Sequence, residues 1–154
     1  MGLSIRPIVL DDVPAAVEVL LGGSLAPESE DQDRPEAYWA AVVETRERRG
    51  DVLVADLDGE VVGVCQVMVF PHFQHAGGWC CELESVHVRA DQRSRGVGAQ
   101  LLRAAEEVAK MRGCYRVQLT SRLVRTDAHR FYERNGYEAT SVGFKKLLGD
   151  IHLS

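Results

Sequence analysis

A chain of 154 residues, 45% hydrophobic and 27% charged, has the size and balance of a single globular domain, 1–154, with a sizeable core. Its net charge of −5 argues against general nucleic-acid binding, which needs a basic face. Four cysteines do not suggest a disulfide scaffold, no apolar run approaches the ~18 residues of a membrane span, and Met1 to Arg6 do not read as a secretory signal, so the expected compartment is the cytoplasm and no membrane partner is expected.

In chain order, residues 3–9 alternate and read as a strand. Asp11 offers an N-cap to a helix whose apolar stripe is Val13, Val17, Leu20 and Leu21, with Pro14 tolerated in the first turn. Residues 22–34 are polar, carry Glu28, Glu30, Asp31 and Asp33, and read as a mobile loop. A second helix over 35–49 ends at Gly50. Strands over 51–58 and 60–70 are joined at Asp58-Gly59, a strong hairpin signal. Residues 71–78 make a turn. Strand 79–88 alternates, with Glu82, Glu84, Val86 and Val88 on one face and Leu83, Ser85 and His87 on the other. A helix over 96–112 follows, then a strand over 115–120 and a short helix N-capped by Asp127 and ended by Asn135-Gly136. Two strands, 137–141 and 144–148, close the chain.

The most informative stretch is Arg93-Ser94-Arg95-Gly96-Val97-Gly98-Ala99. It leads from a strand into a long amphipathic helix, and a helix N-terminus offers free N–H groups and a positive dipole end to a phosphate. A dinucleotide fingerprint would need a third glycine, where Leu101 stands, and a P-loop would need Gly-Lys-Ser/Thr, which is absent.

The Arg93–Ala99 loop resembles the acetyl-CoA pyrophosphate loop of the GNAT N-acetyltransferase superfamily. Ala128-His129-Arg130-Phe131-Tyr132-Glu133-Arg134-Asn135-Gly136-Tyr137 resembles that family's A-x-x-F-Y-x-x-x-G-F/Y segment, in the same order and at a fitting spacing. The resemblance implies an α/β GNAT fold: a mixed, mostly antiparallel sheet of about seven strands flanked by about four helices. It also implies an enzyme that passes an acetyl group from acetyl-CoA, as co-substrate, to a primary amine of a small molecule in a ternary complex. The segments 70–88 and 120–132 are similar to the corresponding stretches of aminoalkylphosphonate N-acetyltransferases.

Each chemical requirement has candidates. The N–H groups of Arg93, Ser94, Arg95, Gly96, Val97, Gly98 and Ala99 would cradle the pyrophosphate, with the Arg93 and Arg95 side chains adding charge. By resemblance, the backbone of Val86, His87 and Val88 would pair with the pantetheine arm. An amine arrives protonated, and Glu82 or Glu84 could take its proton; the resemblance favours Glu82. Tyr132 matches the family's tyrosine that protonates the departing sulfur. Ser121 could assist the oxyanion or order a water. Many members carry an Asn where Arg125 stands, so Arg125 would instead reach an acidic group of coenzyme or substrate.

Other readings stay open at this level. His72 and His75 lie near Cys80 and Cys81, but their spacing does not match a structural zinc site, and no metal is expected. No cysteine stands beside an obvious base, which disfavours a thioacyl intermediate. A protein N-acetyltransferase and a non-catalytic acyl-CoA sensor share the fold. Arg122 and Arg125 would suit an anionic aminophosphonate, the 28–33 loop a cationic polyamine or aminoglycoside. C-terminal edge strands would suit a homodimer.

Overall fold

The computed structural model describes residues 2–149. Its sheet has five strands in the order β1-β2-β3-β4-β5: β1 Leu3–Pro7, β2 Asp51–Leu57, β3 Glu60–Pro71, β4 Trp79–Val88 and β5 Cys114–Leu119. The first three neighbouring pairs are antiparallel. Gly78 meets Tyr115, and Glu82 bonds Gln118; the two contacts advance in the same sense, so β5 runs parallel to β4 and the sheet is mixed. The helices are α1 Val13–Gly23, α2 Pro35–Glu47, α3 Gln74–Gly77, α4 Val97–Met111 and α5 Thr126–Arg134.

Local chemistry explains the elements. The β2–β3 hairpin turns at Asp58 and Gly59, both at positive φ (52° and 92°), as the twist of a two-residue hairpin demands. A single 3-10 turn, Leu10–Asp12, leads into α1, so the N-cap position is Asp12 and not Asp11. The Asp12 carboxylate accepts the Val9 N–H at 2.8 Å and two Arg6 N–H groups at 2.7 and 3.0 Å. That fork holds the Asp12 carboxyl below its ordinary range.

Residues 22–34 are more organised than the mobile loop expected. They contain the turn Pro27–Ser29, and the Tyr38 hydroxyl of α2 accepts the Asp31 N–H at 2.8 Å while donating to Glu30 at 2.9 Å.

The sheet centre is covered on both faces. Adjacent residues Cys80 and Cys81 point to opposite faces, and both are fully buried. Val13, Ala16, Val17, Val19 and Val42 of α1 and α2 pack with Val52, Val54 and Val64 of the sheet. Val97, Leu101, Leu102, Ala105 and Ala109 form the buried stripe of α4. Gly63 lets that helix lie close: a Cβ there would come within 2.9 Å of Leu101 Cδ1.

The expected seven strands and four helices are corrected to five and five among the described residues. The additional element is α3, a single left-handed turn within the expected 71–78 connection, with His75, Ala76 and Gly77 all at positive φ. The segments 137–141 and 144–148 form no strand. A run of strand-forming residues becomes a strand only where it finds a ladder and a face to bury. Here Val142, Phe144, Leu147 and Leu148 are all exposed. The chain divides into two compact units between Gln118 and Leu119, and each is treated by itself below.

Candidate active site

In the first unit, β4 and the loop after it carry most of the expected residues. The β3–β4 register pairs Met68 with Glu82 and Gln66 with Glu84, but then Val64 with His87 and Gly63 with Val88. One extra residue on β4 makes a β-bulge, and Ser85 in it has φ of 54°. The bulge reverses the alternation. His87 therefore shares a face with Glu82 and Glu84, whereas Val88 lies on the opposite face; the unbroken alternation expected from the sequence is corrected. His87 is on the α1 side, where its Nδ1 lies 2.5 Å from the Cβ position of Gly23. Gln66, on that same face, donates to Thr45 of α2 at 3.0 Å.

Glu82 is half-buried and Glu84 is exposed. Gln118 of β5 donates from Nε2 to Glu82 Oε1 at 2.8 Å. Among the described residues no lysine or arginine forms an ion pair with Glu82. Gln118 is not legible as a partner of Glu82 in the sequence, because which residue of β5 stands beside Glu82 depends on strand register. A polar side chain inside a strand was the only available signal.

The loop leaves β4 through the turn Ala90–Gln92. Arg93 folds back, and its Nε donates to the Val88 carbonyl at 3.1 Å. Ser94 (φ 62°) and Gly96 (φ 85°) are both left-handed, and Gly96 is the N-cap of α4. Arg93, Ser94, Arg95 and Gly96 are exposed, whereas Val97 is buried and anchors the helix start. The first N–H taken up inside the helix is that of Gln100, on the Gly96 carbonyl at 3.1 Å. Val97, Gly98 and Ala99 therefore supply first-turn N–H groups with no side-chain cap over them. Left-handed residues alternating with extended or helical ones turn successive N–H groups into a concave anion nest, and the helix dipole adds to it. The loop thus presents backbone N–H donors of the kind an anion accepts. The empty space around a Gly96 Cβ shows that its glycine is required by φ, not by crowding.

Ser121, Arg125 and Tyr132 belong to the second unit. Ser121 is half-buried after β5. Arg125 occupies the N-cap position of α5, displacing the expected cap Asp127 into the first turn, where it pairs with Arg130. The Arg122 carbonyl accepts the Arg125 N–H at 2.9 Å and is 2.8 Å from His129 Nε2, so that nitrogen carries a proton. Tyr132 is half-buried, edge-on to Phe131 at 5.2 Å and to Tyr137 at 6.1 Å.

His72 and His75 sit with Tyr115 rather than with the cysteines: His72 Nδ1 is 2.5 Å from the Tyr115 hydroxyl, and the His75 ring lies 5.2 Å from that of Tyr115. Among the described residues no group of three or more His, Cys, Asp or Glu is arranged to hold a metal. Burial pushes the thiols of Cys65 and Cys81 up to about 12, so neither is a thiolate near neutral pH.

The acetyltransferase (GNAT) family model matches residues 17–137, which includes β4, the loop, α4 and the Phe131-Tyr132 pair. The chain belongs to the GNAT acetyltransferase family. The GNAT chain is 38% identical over 91 residues to an aminoalkylphosphonate N-acetyltransferase of Salmonella typhimurium, a match covering 59% of this chain and 58% of that protein, short of two thirds of its length. It is 30% identical over 103 residues to a glucosamine 6-phosphate N-acetyltransferase of Trypanosoma brucei brucei, covering 65% of this chain and 68% of that one. A crystal structure of a transcriptional regulator from Bacillus halodurans C-125 superposes with a TM-score of 0.87 at 33% identity, over 96% of this chain and 100% of that chain. Among the described residues no helix is long and apolar enough to cross a membrane.

Proposed function

We propose that this GNAT protein transfers the acetyl group of acetyl-CoA to the primary amine of a small molecule that also carries a phosphonate or phosphate. The observation that carries the reading is the left-handed Gly96 cap opening onto the first-turn N–H groups of α4, directly after the strand that holds Glu82. The acceptor class is supported by the two acetyltransferase relatives, whose names both specify an amine bearing a phosphorus oxyanion.

The N–H groups and arginines of 93–99 hold the pyrophosphate of the coenzyme, and the bulged backbone at Val86–Val88 takes the pantetheine arm. The ammonium of the acceptor loses its proton to Glu82, directly or through water, with Glu84 as a second carboxylate on the same face. The freed nitrogen attacks the thioester carbonyl, so a C–N bond forms as the C–S bond breaks. Tyr132 gives its phenolic proton to the thiolate and recovers one, directly or through water, from the second N–H that the attacking nitrogen sheds as the amide forms. Ser121 orders the oxyanion or a water. Arg122 and Arg125 receive the acceptor's phosphonate or phosphate.

The test is free-thiol release from acetyl-CoA against a panel of aminoalkylphosphonates, amino-sugar phosphates, polyamines, aminoglycosides and short peptides. The reading predicts turnover confined to phosphorus-bearing amines and lost in both Glu82→Gln and Tyr132→Phe. Turnover of peptides alone would replace it with protein acetylation. A second reading, an acetyl-CoA sensor without turnover, is favoured by the transcriptional regulator that this chain resembles. Coenzyme binding with no turnover on any amine would support that one.

A further inference from the structure

We infer that Gln118 is a positioning residue that holds the Glu82 carboxylate in its working orientation, an inference that rests on Glu82 accepting the amine proton. A carboxylate offers only acceptors, so the bond from Gln118 Nε2 to Glu82 Oε1 at 2.8 Å dictates which way the Gln118 amide faces. With Oε1 tied, the rotation of the carboxylate is fixed, and Oε2 is the oxygen left for the acceptor's N–H.

Both residues stand on rigid backbone. Glu82 is flanked along β4 by the fully buried Cys81 and the almost fully buried Leu83, and Gln118 lies on the paired strand β5. A glutamate on a strand has three side-chain torsions to order, and a single neutral donor removes most of that freedom. The donor's neutrality matters equally. An arginine in this place would orient Glu82 but would also neutralise it and compete with the incoming ammonium. An amide orients the carboxylate and leaves its charge for the substrate. The absence of any lysine or arginine bridging Glu82 among the described residues fits that division of labour.

The experiment compares wild type with Gln118→Met, which keeps length and loses the donor, and Gln118→Leu, which also loses it and adds no charge beside Glu82. Circular dichroism and thermal melting identify which variants fold, and either one suffices. The expected result is a loss of about tenfold in kcat with the acetyl-CoA KM within about twofold of wild type, because the carboxylate is misplaced while the coenzyme site is untouched. In a Glu82→Asp background, where the shortened carboxylate no longer reaches Gln118, the same substitutions should cost less than about twofold. A merely structural role would cost the same in both backgrounds. Wild-type kcat in a folded Gln118 variant, or an equal loss in the Glu82→Asp background, would overturn the inference. Glu82→Gln tests the underlying reading separately. Full activity there removes Glu82 as base, whereas an inactive Glu82→Gln beside fully active Gln118 variants removes only the role of Gln118.

Discussion

Arg93 donates from its Nε to the carbonyl of Val88 at 3.1 Å, tying the phosphate loop back onto the last residue of β4. The two parts of the proposed coenzyme site, strand backbone and helix-capping loop, are thus joined through one side chain. Arg93→Ala should raise the KM for acetyl-CoA by roughly tenfold, since it removes both a cation beside the pyrophosphate and this tie. The kcat should stay within about twofold. Steady-state kinetics at low and high salt check it, with the difference from wild type shrinking as salt rises.

Gly96 offers a cleaner test of loop geometry. Its φ is 85°, and an added Cβ meets nothing within 4 Å, so alanine is penalised only by backbone conformation. That penalty is about 1–2 kcal/mol. Gly96→Ala should therefore lower the melting temperature by a few degrees. It should also weaken acetyl-CoA binding measured by calorimetry, because relaxing the residue turns the first N–H groups of α4 away from the nest.

Arg6 and Asp12 predict how stability varies with pH. The Arg6 fork holds the Asp12 carboxyl below its ordinary range, so the contact stabilises the fold above about pH 4 and is lost as pH falls through the lowered value. Asp12→Asn should cost about 1–2 kcal/mol at neutral pH, the lower end reflecting solvent screening of the partly exposed Arg6. Urea unfolding at neutral, mildly acidic and strongly acidic pH should show that gap closing below about pH 4.

The cysteines predict a negative result. Burial holds Cys65 and Cys81 protonated, and Cys80 is fully enclosed. Cys114 is only half-buried, though its thiol is also raised, mainly by burial. Brief alkylation of the native protein should label Cys114 alone, as read by peptide mass spectrometry, and Cys81→Ala should keep wild-type kcat. An acetyl group recovered on any cysteine would contradict direct transfer.

Much of this organisation is legible in the chain. The Asp58-Gly59 turn, the apolar stripe of α4 and the glycine loop before it are local signals, and the structure follows them. What the sequence hid depends on register or on tertiary partners. The bulge at Ser85 swaps the faces of His87 and Val88, and one inserted residue in a ladder leaves no compositional trace. Gln118 meets Glu82 only because β5 lies beside β4 in one particular register. Tyr38 anchors the acidic loop by a hydroxyl whose partners, Glu30 and Asp31, lie in the loop before α2, so no helix or strand pattern announces the contact. The segments after Tyr137 have strand composition without a ladder among the described residues, where propensity and tertiary context part.

The most direct measurement is the initial rate of free-thiol release with acetyl-CoA and an aminoalkylphosphonate both varied. Direct attack within a ternary complex predicts amine-dependent release with double-reciprocal lines that intersect. Parallel lines would mean that the acetyl group first moves to the protein, and release indifferent to the amine would mean that no acetyl transfer to it occurs; either result would contradict the account.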